Sequence, residues 1–361
     1  MNNPNFLNIN FTDEDVREFN SDKISIQKGM NEIIADARKK SKENKCFYCG
    51  KPISSFCNSH FVPAFCLRNI ALDGRVYYSN TFNKIPFLSV EKGVNQAGTF
   101  RLLCRDCDSK IFTEYENPSY YINIPTSKMI AQIAMKDYLK LIAKRLFEKT
   151  LFENIKDNHP QAKDICDYQK QGQELDLKEY QKAYEKARRL SKKDQNDGYG
   201  LFYYQKLNHV VPFAFQCAVA LIYDLDGQII NNIYNMTPNY HLKELHICVF
   251  PLKKESIVMI FVDSSNKRYR AFCKQFGRLS SEDKLALTNY IIFLYSEDFF
   301  LSKSIVDEIL KDKALQSVIN QTPVAYSDTP FLNPIDGAKE VFDLNNWDLI
   351  PNLLSEEYKL A

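Results

Sequence analysis

No apolar run in this chain approaches the ~20 residues that a membrane-crossing helix needs. Its opening stretch, MNNPNFLNINFTDEDVREF, is polar and acidic, unlike a secretory signal. The expectation is a cytoplasmic protein with no membrane partner. An excess of one charge is missing too. With a formal net charge of +2, the global field argues neither for nor against nucleic acid, and any basic face has to be local. Internal repeats and low-complexity segments are absent. Residues 200–320 contain no nucleophile elbow, phosphate loop or HExxH pair, which leaves little support for a separate enzyme there. What remains is ordinary globular composition, 45% hydrophobic and 25% charged over 361 residues, enough for one large core or two smaller ones.

Cysteine is the residue that stands out. Ten are present, and in a chain expected to stay in a reducing compartment they point to metal more than to disulfides. Six fall between 46 and 107, around two C-x-x-C pairs, Cys46/Cys49 and Cys104/Cys107. Cys166, Cys217, Cys248 and Cys273 are scattered; Cys217 and Cys248 sit in apolar runs as small hydrophobes. Gly50 and Lys51 after the first pair have the composition of a zinc knuckle, and two such pairs suit a closed tetrahedral zinc. A rival set, Cys46, Cys49, Cys57 and His60, would make His60 a ligand but strand Cys104 and Cys107. The four-cysteine set leaves fewer thiols unexplained and is preferred.

The rest of the chain divides by pattern. Residues 24–43 read as an amphipathic helix, 127–155 as a long helix, and 176–194 as a helix whose basic face is interleaved with acids. Glycines 198 and 200 mark a break into strand-like runs, with DLDG, 224–227, suggesting a hairpin turn. The segment from Ser280 to Leu310 reads as a capped helix in two pieces. Turns around Pro330 and Pro334 and the only tryptophan, Trp347, belong to a tail. The expected fold class is α+β: a helical lead-in (1–43), a zinc module (44–120), a helical segment (121–197), an α+β domain with a mainly antiparallel sheet (198–320) and a tail (321–361). His241 and His246 read as surface or core histidines, not ligands.

The order C-x-x-C, SHFVP (59–63), then LLCRDCD (102–108) resembles the zinc-containing HNH, or ββα-metal, endonucleases, whose fold is a treble clef. SHFVPAFCLRN with LLCRDCD…YE is similar to a group of bacterial HNH-like proteins with SHxIP in place of DHxxP. The likeness covers residues 44–120. It implies structural Zn²⁺, a general-base role for His60, a catalytic Mg²⁺ or Mn²⁺ held by Asp108, and phosphate contacts from Arg68, Arg105 and Lys110. It implies DNA more than RNA as substrate, a host-defence setting, and a second half that serves oligomerisation or a protein partner. Ser59 departs from the family pattern, which has a metal-binding carboxylate there, and so weakens the metal site. Glu114 and Glu116 are expected on the same helix as Asp108, with Glu116 too far along it to share an ion. Other roles stay open: His60 as a brace for the hairpin, Asp108 as a helix cap, and the module as a non-catalytic binder of nucleic acid or protein.

Overall fold

A computed structural model describes residues 23–79, 81, 90–321 and 334–360. Its elements are α1 (Lys23–Lys40), β1 (Ser59–His60), α2 (Ala64–Ile70), β2 (Arg75–Tyr78), β3 (Glu91–Gly93), β4 (Thr99–Phe100) and α3 (Arg105–Ile111). Two long helices follow, α4 (Ser127–Asn158) and α5 (Lys163–Leu190). Then come β5 (Tyr199–Leu207), β6 (Phe213–Val219), β7 (Leu245–Pro251), β8 (Ser256–Asp263), α6 (Arg270–Arg278), α7 (Ser281–Tyr295), β9 (Phe299–Leu301), α8 (Asp307–Lys311) and α9 (Lys313–Ile319). The fold is α+β, with a seven-stranded sheet in the order β3-β2-β9-β6-β7-β8-β5, every neighbouring pair antiparallel. Among the described residues no helix is long and apolar enough to cross a membrane.

The two central strands, β6 and β7, are buried along their whole length, because both sheet faces are covered. Gln216 and His246 look to α4 through Asp137, whereas Phe213 packs on Phe293 of α7. Phe250 of β7 meets Phe65 of α2 and Tyr121. The sheet also reaches into the cysteine-rich stretch: β2 pairs with β9 and carries β3 on its far edge.

Helix α4 starts where the Thr126 hydroxyl accepts from the Met129 N–H, an N-cap that satisfies one orphan donor of the first turn. Residues 129–142 are all buried, so this stretch is enclosed on every side. Its two-sided burial includes Lys136, Asp137 and Lys140. Below it, α4 and α5 form an antiparallel pair tied by Arg145–Asp176, Lys149–Glu174, Glu153–Lys170 and Lys156–Asp167. Three of these pairs use an acid of α5, and only Lys170 is one of its bases. Beyond α5, a Cβ at Gly198 would run into the Leu190 side chain, which would have to shift.

Three readings of the sequence are corrected here. Helix α5 begins at Lys163 and ends at Leu190, where a 176–194 helix was expected. The DLDG turn forms, with Gly227 at φ +71° and Asp224 exchanging bonds with Gly227 and Gln228. Its arms are not strands, and a single Tyr223–Ile229 bridge closes it. The segment after α7 does not pass straight into its second helical piece: strand β9 comes between, its three residues filling the gap between β2 and β6, and the second piece is the short α8. In the tail, Pro334 opens a short helix (Pro334–Gly337) and Trp347 lies in a 3₁₀ segment (Leu344–Leu349); Pro330 and the opening stretch lie outside the described residues.

Asp137 is the polar hub between α4 and the sheet. One carboxylate oxygen accepts from Gln216 Nε2 at 2.8 Å and the other lies 2.7 Å from His246 Nδ1. The imidazole stacks on Phe261 at 4.5 Å with the rings nearly parallel. Removing one member of such a buried pair leaves its partners unpaired in a dry core. Asp137→Ala is expected to lower the unfolding free energy by about 2–5 kcal/mol, read as a fall in the urea midpoint.

Candidate metal centre and its flanking site

The first C-x-x-C pair forms a tight knuckle. The Gly50 N–H donates to the Cys46 carbonyl at 2.8 Å and the Cys46 N–H to the Lys51 carbonyl at 2.9 Å. Gly50 takes φ +71° to close the turn, a conformation that favours glycine. The second pair straddles the start of α3, with Cys104 as its N-cap residue. Between them β1 and β4 form a small antiparallel hairpin, Ser59 opposite Phe100 and His60 opposite Thr99. Its flanks are stitched to the knuckle by Phe47 N–H to Leu102 O and Cys57 N–H to Leu103 O.

This arrangement gathers four sulfurs. The Sγ atoms of Cys46, Cys49, Cys104 and Cys107 all lie within 4.8 Å of one another. A tetrahedral zinc with ~2.3 Å Zn–S bonds spaces its sulfurs by about 3.8 Å, so the cluster fits the ion with little movement. The electrostatics agree. Burial works against ionising Cys46, yet N–H groups of Cys49, Cys104 and Tyr48 bring its thiol down to about 7. The Cys104 N–H reaches the Cys46 sulfur at 3.3 Å. Cys107 is pushed up by burial and by the crowding sulfurs. A doubly charged cation is what allows four such thiols to ionise together. All ten cysteines are free of disulfides, and Cys217 and Cys248 are buried in β6 and β7.

The rival ligands point elsewhere. Cys57 Sγ lies 3.1 Å from the Ser59 hydroxyl, and burial pushes its thiol up to about 11. The His60 ring lies on the other side of the strand, as alternation requires, with Nε2 2.9 Å from the Val94 carbonyl. Burial lowers its pKa from the ordinary 6.5, and the Lys136 charge adds to the effect against the opposing Val94 contact.

Asp108 has a partner that spacing along the chain does not identify. Lys136, on α4 and fully buried, places its ammonium 2.8 Å from Asp108 Oδ1 and 3.0 Å from Glu116 Oε1. The same ammonium sits 3.7 Å from the centroid of the Phe112 ring, a cation–π contact that helps hold a desolvated charge. Helix α3 ends at Ile111, and the chain then turns so that Glu116 folds back towards Asp108. The expectation that Glu116 rides the same helix, too far away to share a cation with Asp108, is therefore corrected. Burial raises the Glu116 pKa even so, with Lys136 working against the rise. Glu114, by contrast, pairs with Lys128 at 2.7 Å.

The expected phosphate contacts divide. Arg105 is exposed and lines a hollow of about 800 Å³ with Arg101 and Lys42. Arg68 is exposed on α2 and lines a larger trough of about 1680 Å³ that shares Lys42, Asn58 and Arg101 with the first. Lys110 is exposed but lines neither hollow. Three other histidines have local partners: His241 with Glu179, His209 with the Leu354 carbonyl, and His246 with Asp137.

No protein-family model, curated protein or solved structure matches this chain.

Two outcomes follow from the geometry. Cys49→Ser and Cys107→Ser should each lose bound zinc, whereas Cys57→Ser and His60→Ala should keep it, as read by elemental analysis of the purified proteins; zinc loss in His60→Ala would mean that the ligand set is misassigned. Lys136→Met strands two carboxylates against each other in a buried site and should cost about 3–5 kcal/mol. Adding Asp108→Asn to it should recover part of that loss in a double-mutant cycle of denaturation midpoints.

Proposed function

We propose that this chain is a zinc-stapled protein of treble-clef, HNH-like design that binds nucleic acid, DNA ahead of RNA, without divalent-metal cleavage. The observation that carries the reading is the surplus of positive charge along the two connected hollows beside the β1–β4 hairpin. Arg38, Lys42, Arg68, Lys92 and Arg101 all line the larger one, and none has a carboxylate partner among the described residues. The acids that line it are already taken: Glu91 by Arg75 and Lys303, Glu297 by Lys144, Asp298 by Lys140, and Glu148 by Arg145. A trough of this kind suits a phosphate backbone, whose contacts position a protein without reading sequence.

Binding is favoured over cleavage because of Lys136. The carboxylate that the family resemblance offers to Mg²⁺ or Mn²⁺ is neutralised by a buried ammonium, and the Ser59 hydroxyl is turned to Cys57. The zinc would supply folding free energy and hold the hairpin against α3.

One observation favours the endonuclease as a second reading. A carbonyl at His60 Nε2 fixes the tautomer with the proton there and leaves Nδ1 as a free base. With its pKa depressed by burial, the imidazole is neutral at pH 7, the form that accepts a proton from water.

The discriminating experiment titrates the purified zinc-loaded protein with a fluorescent 20-base-pair duplex and, in parallel, incubates it with plasmid and Mg²⁺ or Mn²⁺. The expected result is salt-dependent binding of duplex and intact plasmid. Cleavage that vanishes in His60→Ala with zinc retained would replace the first reading with the second. A depressed pKa keeps the base form present to lower pH, so the acid limb of that activity would then fall below the ordinary histidine value of 6.5. Neither binding nor cleavage would remove both readings.

A further inference from the structure

Two cations from segments far apart in sequence line the larger trough. Lys92, on β3, is partly buried with its ammonium 4.1 Å from the centroid of the Tyr78 ring. Arg38, on α1, has its guanidinium carbon 5.9 Å from the centroid of Phe147 on α4. Both line the same hollow. They are near enough that the Arg38 charge, after burial, helps to depress the Lys92 pKa. The carboxylate that opposes this effect on Lys92 is Asp298, which is itself held by Lys140 and flanked by Lys144. Glu297 is held by Lys144. Like charges set close together in a partly dry hollow are unfavourable unless an anion joins them.

The aromatic seats matter as much as the charges. Tyr78 and Phe147 hold the two side chains over ring faces, which orients them and reduces the rotamer freedom lost on binding. A guanidinium fork beside an ammonium point charge suits a ligand with several acceptor oxygens on one centre. Arg68, Lys42 and Arg101 line the same trough, so the pair belongs to a wider basic surface.

We propose that Arg38 and Lys92 form a phosphate-binding site in the trough, occupied by a backbone phosphate of a nucleic-acid strand lying along it. The inference rests on the nucleic-acid reading above and assigns the place where the strand is gripped. It lies outside the zinc module's own motif, on α1 and the sheet-edge strand β3.

The test uses the full-length zinc-loaded protein and two probes: a 20-base-pair duplex by fluorescence anisotropy at several salt concentrations, and inorganic tripolyphosphate by calorimetry. Arg38→Gln/Lys92→Gln should weaken duplex binding at least tenfold. It should also flatten the slope of log K against log salt by about 1.8, the value for two lost phosphate contacts. Arg38→Lys/Lys92→Arg, which keeps the charges, should restore most of both. Lys182→Gln, an exposed lysine on α5 away from the trough, should shift the slope by less than half a unit. Unchanged duplex affinity and slope in the Gln double variant, with wild type binding, would overturn the site and leave the nucleic-acid reading standing. Wild type that ignores duplex but binds tripolyphosphate, with loss in the Gln double variant, would remove that reading and keep a phosphate site for a free polyphosphate. Wild type that binds neither probe would overturn both. Each variant's melting curve is taken alongside, and the charge-keeping pair decides the matter where the Gln pair is destabilised.

Discussion

Three neighbouring charged residues in the middle of one helix hold this molecule together. Lys136, Asp137 and Lys140 lie in the enclosed part of α4, and each is answered by a different element. Lys136 takes the carboxylates of the zinc module, Asp137 takes Gln216 and His246 of the sheet, and Lys140 takes Asp298 at the start of β9. A desolvated charge costs several kcal/mol unless it is paired, and its pairing does little more than repay that cost. The interactions therefore add modest net stability. Their effect is on register: a turn's slip of α4 would strand three charges at once, a far larger penalty than the loss of any apolar contact. Apolar packing along residues 129–142 says that the helix is buried; these charges say at which depth and rotation.

That constraint places the zinc module. The four cysteines could hold a metal that would fix the internal geometry of the knuckle and hairpin, while α4 and the sheet fix their position. Phe61 leans on Phe300 of β9 at 5.8 Å, and Phe65 reaches Phe250 of β7. The strands β2 and β3 carry the same stretch of chain into the sheet itself. The hairpin then holds Ser59 and His60 on opposite sides of one short strand. Ser59 turns inward to the Cys57 sulfur, and His60 turns to the Val94 carbonyl next to β3. A site that needed both side chains on one ligand would have to break that alternation.

What could be read from the sequence was whatever depends on spacing along the chain. Two C-x-x-C pairs specify four sulfurs wherever the rest of the chain goes, and they do converge. Runs of apolar, β-branched residues between 199 and 263 specify antiparallel strands. Strand β9 was hidden because Phe299–Leu301 is only three residues long and follows a helix with similar apolar content, so neither period can be resolved over it. The overrun of α3 has a related cause. DSKIFTEYE keeps a helical pattern, but a continuing helix would hold Glu116 ~12 Å along the axis from Asp108, and both carboxylates meet the one buried Lys136 ammonium. Tertiary burial won. Lys136 itself left a faint trace, two lysines four residues apart with an aspartate between them inside an apolar run. Periodicity identifies that run as a helix and cannot say which walls surround it.

The same pairing shapes the surface charge. A chain of net charge +2 cannot show a strongly basic face unless its acids are spent elsewhere. Here they are spent on cations that are buried or sit at the trough's margin: Asp108 and Glu116 on Lys136, Asp298 on Lys140, Glu297 on Lys144, Glu91 on Arg75 and Lys303. Each such pair cancels one acid with one cation, and since Arg75, Lys140 and Lys144 themselves line the trough, what an approaching polyanion would meet is the surplus of unpaired cations. The cations left over, Arg38, Lys92, Arg68, Lys42 and Arg101, are the ones the trough displays. Sequence composition averages these two populations to near neutrality. The fold separates them, and the buried ion pairs that fix α4 are part of what makes the trough positive.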